Sequence, residues 1–194
     1  MDVTVTDFGV SRLQSESLVE RNRAWRLLYD ANFESVYRLA CRSGVLPAEA
    51  EEVSQKVFAI AYRKLGETHQ IANLNAWLYG ITLRVVRQHF RWQRVRRVKA
   101  WMLPESPGVI PNEAASPEAM AASAELQRKV SQVLASMSAK LRNVLVLTEI
   151  EDLRPKEAAE ILAVPVNTVR SRRRLAQEDF RLRWQALSGR DNTP

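Results

Sequence analysis

Arginine is the residue type whose number and spacing in this sequence most clearly indicate a binding function. Residues 84–99 contain seven basic residues and no acidic residue, and a second basic block spans residues 170–174. A guanidinium group donates paired hydrogen bonds to a phosphate group or to the edge of a guanine base. The two blocks therefore indicate a polyanionic partner, although either block alone is also compatible with a solvated helix face.

The residue types that usually carry out catalysis do not form a recognisable set. His69 and His89 lack metal-ligand spacing with each other and with Cys41, so we expect no zinc site. The sequence contains no glycine-rich phosphate loop and no nucleophile elbow. We therefore expect a protein that is not an enzyme and that binds no metal and no cofactor.

The composition is that of a folded, moderately basic protein. Its 194 residues are 46% hydrophobic, and 29 Lys and Arg residues against 22 Asp and Glu residues give a net charge of +7. The single cysteine excludes an internal disulfide, and no apolar run approaches the roughly 20 residues that a bilayer span requires. The first residues lack the basic and apolar segments of a signal peptide. We expect a cytoplasmic protein with no direct membrane insertion.

The charge reverses between the two basic blocks. Residues 100–127 contain four glutamates and no lysine or arginine, and residues 103–123 contain four prolines. Because proline lacks a backbone N–H and disfavours helix in the preceding residue, the proline-containing stretch should be irregular. It predicts a flexible, acidic, proline-rich linker between two domains. The predicted division is an N-terminal tail (1–19), a first domain (20–100), a linker (101–124), a second domain (125–187) and a C-terminal tail (188–194).

Both domains are predicted to be all-α, because alternating β-branched runs and hairpin turns are absent. Helices are expected over residues 21–43, from Pro47 onwards and over residues 76–99. The third of these helices has an apolar arc and, beside it, a stripe of arginines at spacings of three and four residues. The arc consists of Leu78, Ile81, Val85 and Trp92, and the stripe consists of Arg84, Arg87, Arg91 and Arg94. Such a stripe is suited to lie along a phosphate backbone.

Residues 155–172 predict a helix-turn-helix. A short helix ends near Leu162, a tight turn contains Pro165, and a new helix begins at Val166. In this motif the second helix enters the major groove with its N-terminal residues on the base edges. The predicted DNA-facing residues are Asn167, Thr168, Arg170, Ser171, Arg172, Arg173 and Arg174. The alternative is an ordinary hairpin of two helices with a basic outer face.

Three short motifs follow one another along the chain. Residues 50–58 read AEEVSQKVF, residues 75–81 read NAWLYGI, and residues 164–172 read VPVNTVRSR. In this order they resemble region 2.2, regions 2.3–2.4 and region 4.2 of bacterial sigma factors. More narrowly, the chain resembles the compact extracytoplasmic-function (ECF) group of the sigma-70 family, which keeps regions 2 and 4 only. The resemblance implies an alternative sigma factor that binds core RNA polymerase and directs promoter-specific initiation.

The resemblance also implies partners and site residues. The partners are core RNA polymerase, through its β′ clamp helices and β flap, promoter DNA and an anti-sigma factor. The −35 promoter element would be read by the helix-turn-helix residues named above. The −10 element would be held by Asn73, Asn75, Arg84, Arg87, Arg91 and Arg94, and core polymerase by Glu51, Glu52, Gln55, Lys56 and Phe58. The loop 66–75 resembles the segment that holds a flipped base.

Several positions depart from the family pattern. Lys56 stands where an acidic residue is usual, and Arg84 and Gln88 replace the common Asn and Asp. Ala163 and Asn167 occupy positions where glycine is common. Promoter preference is therefore not transferable from relatives. The competing hypotheses are a stand-alone helix-turn-helix regulator, which binds DNA tightly without polymerase, and a nucleic-acid enzyme, for which no carboxylate or histidine cluster is found.

Overall fold

The computed structural model describes residues 18–65, 71, 73–99 and 117–190. Every regular element in these ranges is helical, which confirms the all-α prediction. In chain order the elements are α1 (Leu18–Arg42), α2 (Pro47–Leu65), α3 (Leu74–Lys99), α4 (Pro117–Ser136), α5 (Ala139–Leu145), a π-helical segment (Val146–Ile150), α6 (Pro155–Leu162) and α7 (Val166–Arg190). Across these described helices, none is both long and apolar enough to cross a membrane.

Backbone packing divides the chain into two compact units. The first consists of Met1–Ala40 and Glu49–Trp101, and the second consists of Cys41–Ala48 and Met102–Pro194. Most of α1, most of α2 and all of α3 belong to the first unit, and α4 to α7 belong to the second. The domain limits and tails predicted from the sequence stay predictions.

The first unit contains an aromatic cluster between α1 and α2. Trp25, Tyr29 and Phe33 recur every four residues, so they lie on one side of α1. The ring of Phe58 lies among them, with its centroid 4.6 Å from that of Tyr29, 6.1 Å from Trp25 and 6.2 Å from Phe33. Phe58 is only 3% exposed, and burial of a side chain of this size stabilises a fold by roughly 1.5–3 kcal/mol. The cluster therefore determines which face of α2 meets solvent.

The predicted apolar arc of α3 is correct at three of its four positions. Leu78, Ile81 and Val85 are buried, whereas Trp92 is 61% exposed. In the second half of the helix the packed side instead follows Val86, His89, Phe90 and Gln93, which are buried or half-buried. These four residues have the i, i+3, i+4, i+7 spacing of one helix face. Trp92 lies beside this face, so its prediction as part of the apolar arc with Leu78, Ile81 and Val85 was wrong.

Helix α4 in the second unit begins earlier than the sequence indicates. Helix α4 starts at Pro117 and so takes in residues 117–124 of the predicted linker. Proline is tolerated at a first helical position because the N–H that it lacks would have no intrahelical partner there. The residues that follow Pro117 include four alanines within 117–124, and alanine is the best helix former. The rest of the predicted linker, residues 101–116, lies outside the described residues.

The core of the second unit lies between α5, the π-helical segment and α7. Val144, Val146, Leu147 and Val169 are completely buried. The π-helical geometry is visible in the hydrogen bond from the Glu151 backbone N–H to the Val146 carbonyl, 3.0 Å, which spans five residues. This widened turn shifts the side chains that follow it relative to a regular α-helix.

Candidate nucleic-acid interface

The helix-turn-helix predicted from the sequence is present in the second unit. Helix α6 ends at Leu162, and Ala163 adopts a left-handed conformation with φ 53° and ψ 50°. The Val164 N–H donates to the Ala159 carbonyl at 3.1 Å, which closes the turn. The carbonyl of Pro165 then accepts hydrogen bonds from the first turn of α7. The two helices are thereby held close together, with the small side chain of Ala159 buried at the turn.

The N-terminus of α6 is fixed by a side chain. Glu157 reaches back so that its Oε2 accepts the backbone N–H of Arg154 at 2.9 Å. The guanidinium of Arg154 also donates to Glu157, at 3.1 and 3.2 Å. Pro155 occupies the first turn of the helix, where it is tolerated. Residues 154–157 thus form a capped start for α6.

The first turns of α7 present a polar face to solvent. Asn167, Arg170, Ser171 and Arg174 are exposed and follow the i, i+3, i+4, i+7 spacing of one helix face. The Arg170 Nη1 lies 3.4 Å from Asn167 Oδ1, and Ser171 Oγ donates to the Thr168 carbonyl at 3.0 Å. Thr168 and Arg172 are partly exposed beside this face. Of the seven predicted −35 residues, four therefore lie on the exposed face of α7 and two lie beside it.

Arg173 is the exception among the predicted −35 residues. Its Nε donates to Oε1 of Glu149 in the π-helical segment, so the guanidinium is engaged within the unit. The hydrogen bond from Arg173 holds the pKa of the Glu149 carboxyl below its ordinary value, and the same bond raises the pKa of Arg173. The sequence contains no signal for this pair, because the two residues are 24 positions apart. Arg173 therefore ties α7 to the π-helical segment.

The four arginines of the α3 stripe are all exposed in the first unit. None of Arg84, Arg87, Arg91 and Arg94 is ion-paired with another described residue. Among the residues that the structure describes, nothing therefore competes with an external anion for their donors. An arginine row on a helix of 26 residues matches the charge of a nucleic-acid backbone.

Glu49 anchors the arginine-bearing helix α3 to the start of α2. Gln93 Nε2 donates to both carboxylate oxygens of Glu49, at 3.0 and 2.9 Å, and His89 Nε2 lies 3.3 Å from Glu49 Oε2. These contacts fix the rotation of α3 about its axis, so that the arginine stripe points away from α2. Sequence reasoning missed this cluster, although the i, i+4 spacing of His89 and Gln93 could have drawn attention to it.

The two predicted asparagines have different surroundings. Asn73 Oδ1 accepts the backbone N–H of Ala76 at 3.1 Å, which is the geometry of an N-cap for α3. Asn75 is exposed in the first turn of the same helix. Residues 66–70 and 72 of the predicted base-holding loop, His69 included, lie outside the described residues.

The predicted polymerase-binding residues lie on α2. Glu51, Glu52, Gln55 and Lys56 are exposed on one side of the helix, and Lys56 Nζ pairs with Glu52 Oε1 at 2.6 Å. Phe58 was wrongly assigned to this exposed set. Its ring is buried in the aromatic cluster with α1 and is inaccessible to a partner. Phe58 acts on the surface only by holding α2 in place.

Most of the chain is similar to known proteins. The family models for sigma-70 region 2 and sigma-70 region 4 match residues 28–101 and 127–177. The ECF RNA polymerase sigma-E factor of Escherichia coli (strain K12) is 30% identical over 188 residues, which cover 91% of this chain and 97% of that protein. The ECF RNA polymerase sigma factor SigE of Mycolicibacterium smegmatis is 29% identical over 158 residues, or 81% of this chain, and the match spans 60% of the relative's length.

A solved structure has the same fold. The sigma factor RpoE from Bartonella quintana, determined in a co-crystal with the anti-sigma factor NepR, matches with a TM-score of 0.65. The sequence identity is 18%, and the match covers 82% of this chain and 96% of that chain. The fold and the two basic faces define an all-α DNA-binding protein of two units. With its two matched regions and its E. coli relative, the chain belongs to the sigma-70 family of RNA polymerase sigma factors, in the ECF group.

Proposed function

We propose that this sigma factor reads two promoter elements with two separate faces, one on α7 and one on α3. Residues 20–100 act as region 2 and residues 125–187 act as region 4, and they are joined by residues 101–124, of which 117–124 form the start of α4. The observation that carries the proposal is the presence of an exposed arginine face on each matched region. A regulator with a helix-turn-helix alone would have no use for the second face.

The −35 element is read in the major groove by the first turns of α7. Asn167, Arg170 and Arg174 reach base edges or phosphates, and Thr168, Ser171 and Arg172 bind the flanking backbone. Arg173 is removed from the base-reading set, because its contact with Glu149 occupies it. It acts as a positioning residue that sets the angle of α7.

The −10 element lies along α3. Arg84, Arg87, Arg91 and Arg94 bind phosphates on one strand, and Asn75 contributes an amide near the helix start. Asn73 supports the site as the N-cap that begins α3 at the correct residue. The arginines attract DNA of any sequence, so base selection at −10 depends on other groups.

Core polymerase binds the exposed face of α2. Glu51, Glu52, Gln55 and Lys56 present a mixed, mainly acidic surface there, which suits basic residues of the β′ clamp helices. The −10 and polymerase faces lie in one unit and are linked by Glu49, which stands two residues before Glu51 and binds Gln93 of α3.

The remaining properties follow from the same role. The protein works in the cytoplasm, where bacterial promoters and polymerase are found, and it needs neither catalysis of its own nor a cofactor, since polymerase performs the chemistry. An anti-sigma factor holds it inactive, as the co-crystal of RpoE with NepR indicates for a protein of the same fold.

Run-off transcription with purified core polymerase tests the proposal. We expect specific transcripts from genomic DNA templates only when core polymerase and this protein are both present. Tight, sequence-specific DNA binding by the protein without core polymerase, together with no transcript above the background of core polymerase, would instead support a stand-alone regulator.

A further inference from the structure

Glu49, His89 and Gln93 form a polar cluster between the start of α2 and the second half of α3. His89 Nε2 lies 3.3 Å from Glu49 Oε2 and 3.1 Å from Gln93 Nε2, so one ring nitrogen faces both neighbours. The side chain of His89 is 15% exposed, and that of Glu49 is 35% exposed. The ring is therefore shielded from most of the solvent but still able to exchange a proton with it.

The two neighbours of His89 Nε2 respond differently to protonation of the ring. In the neutral ring Nε2 either accepts from the Gln93 amide or donates to the Glu49 carboxylate, depending on the tautomer. In the charged ring both nitrogens carry a proton, so Nε2 donates to Glu49 and the contact becomes an ion pair. A charge-assisted hydrogen bond of this kind is roughly twice as strong as a neutral one. Protonation therefore selects and strengthens the contact with Glu49.

Few charged groups surround His89. Among the described residues, the charge in contact with the ring is that of Glu49, and the described part of α1 contributes no hydrogen bond or ion pair to it. The other charges nearby on α2 are Glu52 and Lys56, which pair with each other at 2.6 Å. The nearest charges on α3 are the exposed arginines at positions 87 and 91, two residues away on either side. Protonation of His89 therefore acts chiefly through Glu49.

The cluster and the arginine stripe lie on opposite sides of α3. Arg87 and Arg91 are each two residues from His89, which corresponds to about 200° around an α-helix. A contact that holds one side of α3 to α2 consequently sets the direction in which the other side points. The strength of the contact between His89 and Glu49 therefore bears on how firmly the arginines are presented to DNA.

We propose that protonation of His89 strengthens the attachment of α3 to Glu49, so that the arginine stripe binds the −10 element more tightly at lower pH. Histidine is the side chain whose charge ordinarily changes between about pH 5 and pH 8. The sequence contains two histidines, His69 and His89, so the response is attributable by substitution. This inference rests on the proposed function, since it assumes that the stripe lies along the −10 element.

The first experiment compares reconstituted holoenzymes that contain the wild type, His89→Gln, Glu49→Gln, His69→Gln or Arg91→Ala. Affinity is measured at about pH 6 and about pH 8, at constant ionic strength, for a promoter duplex that the wild-type holoenzyme has selected from random DNA. The affinity at the lower pH divided by that at the higher pH is compared between variants, because polymerase and DNA contribute equally to every ratio. Glutamine keeps a polar side chain but removes the titrating ring or the carboxylate charge.

The ratio should be about twofold to fivefold larger for the wild type than for His89→Gln or Glu49→Gln, because a partly exposed ion pair contributes modestly. The double variant should match either single variant, since both substitutions remove the same contact. His69→Gln should keep the wild-type ratio, whatever its effect on overall affinity. Arg91→Ala should weaken binding at both pH values.

The second experiment tests the contact without DNA or polymerase. Hydrogen exchange of the α3 backbone amides is followed in the full chain at both pH values, with rates corrected for the intrinsic effect of pH. At about pH 6 the amides around His89 should be about twofold to fivefold better protected in the wild type than in His89→Gln. The difference should shrink at about pH 8. Glu34→Gln, which removes an exposed carboxylate of α1, should exchange like the wild type.

Three results would contradict the inference or its basis. Equal affinity ratios for the wild type and His89→Gln, or equal protection at both pH values, would overturn the inference and leave the proposed function intact. A pH response that is lost in His89→Gln but kept in Glu49→Gln would assign it to the added charge alone, which would also overturn the inference. If Arg91→Ala leaves DNA binding unchanged while protection still depends on His89, the −10 assignment of α3 fails and the proton-dependent contact stands.

Discussion

Two arginines three positions apart on α7 have different environments. Arg170 is exposed, and it contacts Asn167 on the exposed face of α7. Arg173 is bound by Glu149 of the π-helical segment. Residue type and sequence position suggest the same role for both, whereas the structure shows one exposed guanidinium and one that is bound within the unit. Arg170 is therefore the proposed base reader, and Arg173 the proposed positioning residue.

Replacement of Arg170 tests the base-reading role. Arg170→Ala should weaken −35-dependent transcription by about 1–3 kcal/mol, or fivefold to a hundredfold, because a bidentate base contact is lost. Binding to core polymerase should not change. Arg181, an exposed arginine further along α7, provides the control variant Arg181→Ala. Unchanged promoter use by Arg170→Ala would contradict the assignment.

The Glu149–Arg173 pair should produce a pH-dependent contribution to stability. In the folded protein the pKa of Glu149 is lowered from its ordinary value of 4.5. The charged pair therefore stabilises the fold at pH values above 4.5, and this stabilisation is lost as the pH falls through the lowered pKa. Glu149→Gln should therefore lower the free energy of unfolding by about 0.5–1 kcal/mol at neutral pH, since both side chains are partly exposed. Chemical denaturation from pH 7 to pH 3 should show this difference shrinking below about pH 4.5. A difference that stays constant over the range would argue against the pair.

At the scale of elements, the turn between α6 and α7 contains local strain. Ala163 has φ 53°, a left-handed conformation in which a Cβ atom is unfavourable by roughly 1–2 kcal/mol. The family pattern usually has glycine there. The helix-turn-helix forms nevertheless, because the buried contacts of Ala159 and Val169 hold the two helices together.

Ala163→Gly should stabilise the second unit. The relief of strain exceeds the roughly 0.4–1 kcal/mol that glycine adds to the entropy of the unfolded chain, so we expect a net gain of up to about 1 kcal/mol. Ala186, an exposed residue within α7, is the control, because Ala186→Gly should cost about 1 kcal/mol. Urea denaturation measures both, and destabilisation by Ala163→Gly would show that the turn is unstrained.

Sequence reasoning succeeded where one local pattern decides the structure. The turn at Pro165, the start of α2 at Pro47 and the arginine stripe of α3 each depend on residues within two helical turns. It failed at Phe58 and Trp92, whose burial is decided by contacts that are not visible in the local sequence. Phe58 is buried by α1, more than twenty residues away along the chain, and the rotation of α3 that exposes Trp92 is set by Glu49, about forty residues away. Packing between helices, rather than periodicity along one helix, was the missing information.

At the scale of the whole molecule, the net charge of +7 conceals two cationic faces and an acidic segment between them. Each cationic face belongs to a separate region of the family, and a third face on α2 has mixed charge. We therefore propose three surfaces with three targets: the −35 element, the −10 element and core polymerase.

Charge reversal on α2 should separate polymerase binding from DNA reading. Replacing Glu51 and Glu52 together by arginine should weaken association with core polymerase tenfold or more, because like charges would then face the clamp helices. Glu34→Arg, a reversal at an exposed acidic residue of α1, is the control. Surface plasmon resonance with immobilised core polymerase measures the affinities. Equal losses for both variants would indicate a nonspecific charge effect.

The most direct test of the central claim uses run-off transcription from promoters in which either the −35 or the −10 element has been replaced. If two faces of one chain bind the two elements, Arg170→Ala should reduce transcription from the intact promoter. Replacing the −35 element should then cause little further loss of transcript with this variant. Replacing the −10 element should still reduce the transcript as it does with the wild type. A variant with Arg87, Arg91 and Arg94 changed to alanine should give less run-off transcript whether or not the −10 element is intact, because these arginines bind phosphates rather than bases, while sensitivity to the −35 element remains. Two separate faces would be contradicted if both variants changed the sensitivity of transcription to the −35 and −10 elements in the same way. They would also be contradicted if core polymerase produced the same transcripts without this protein.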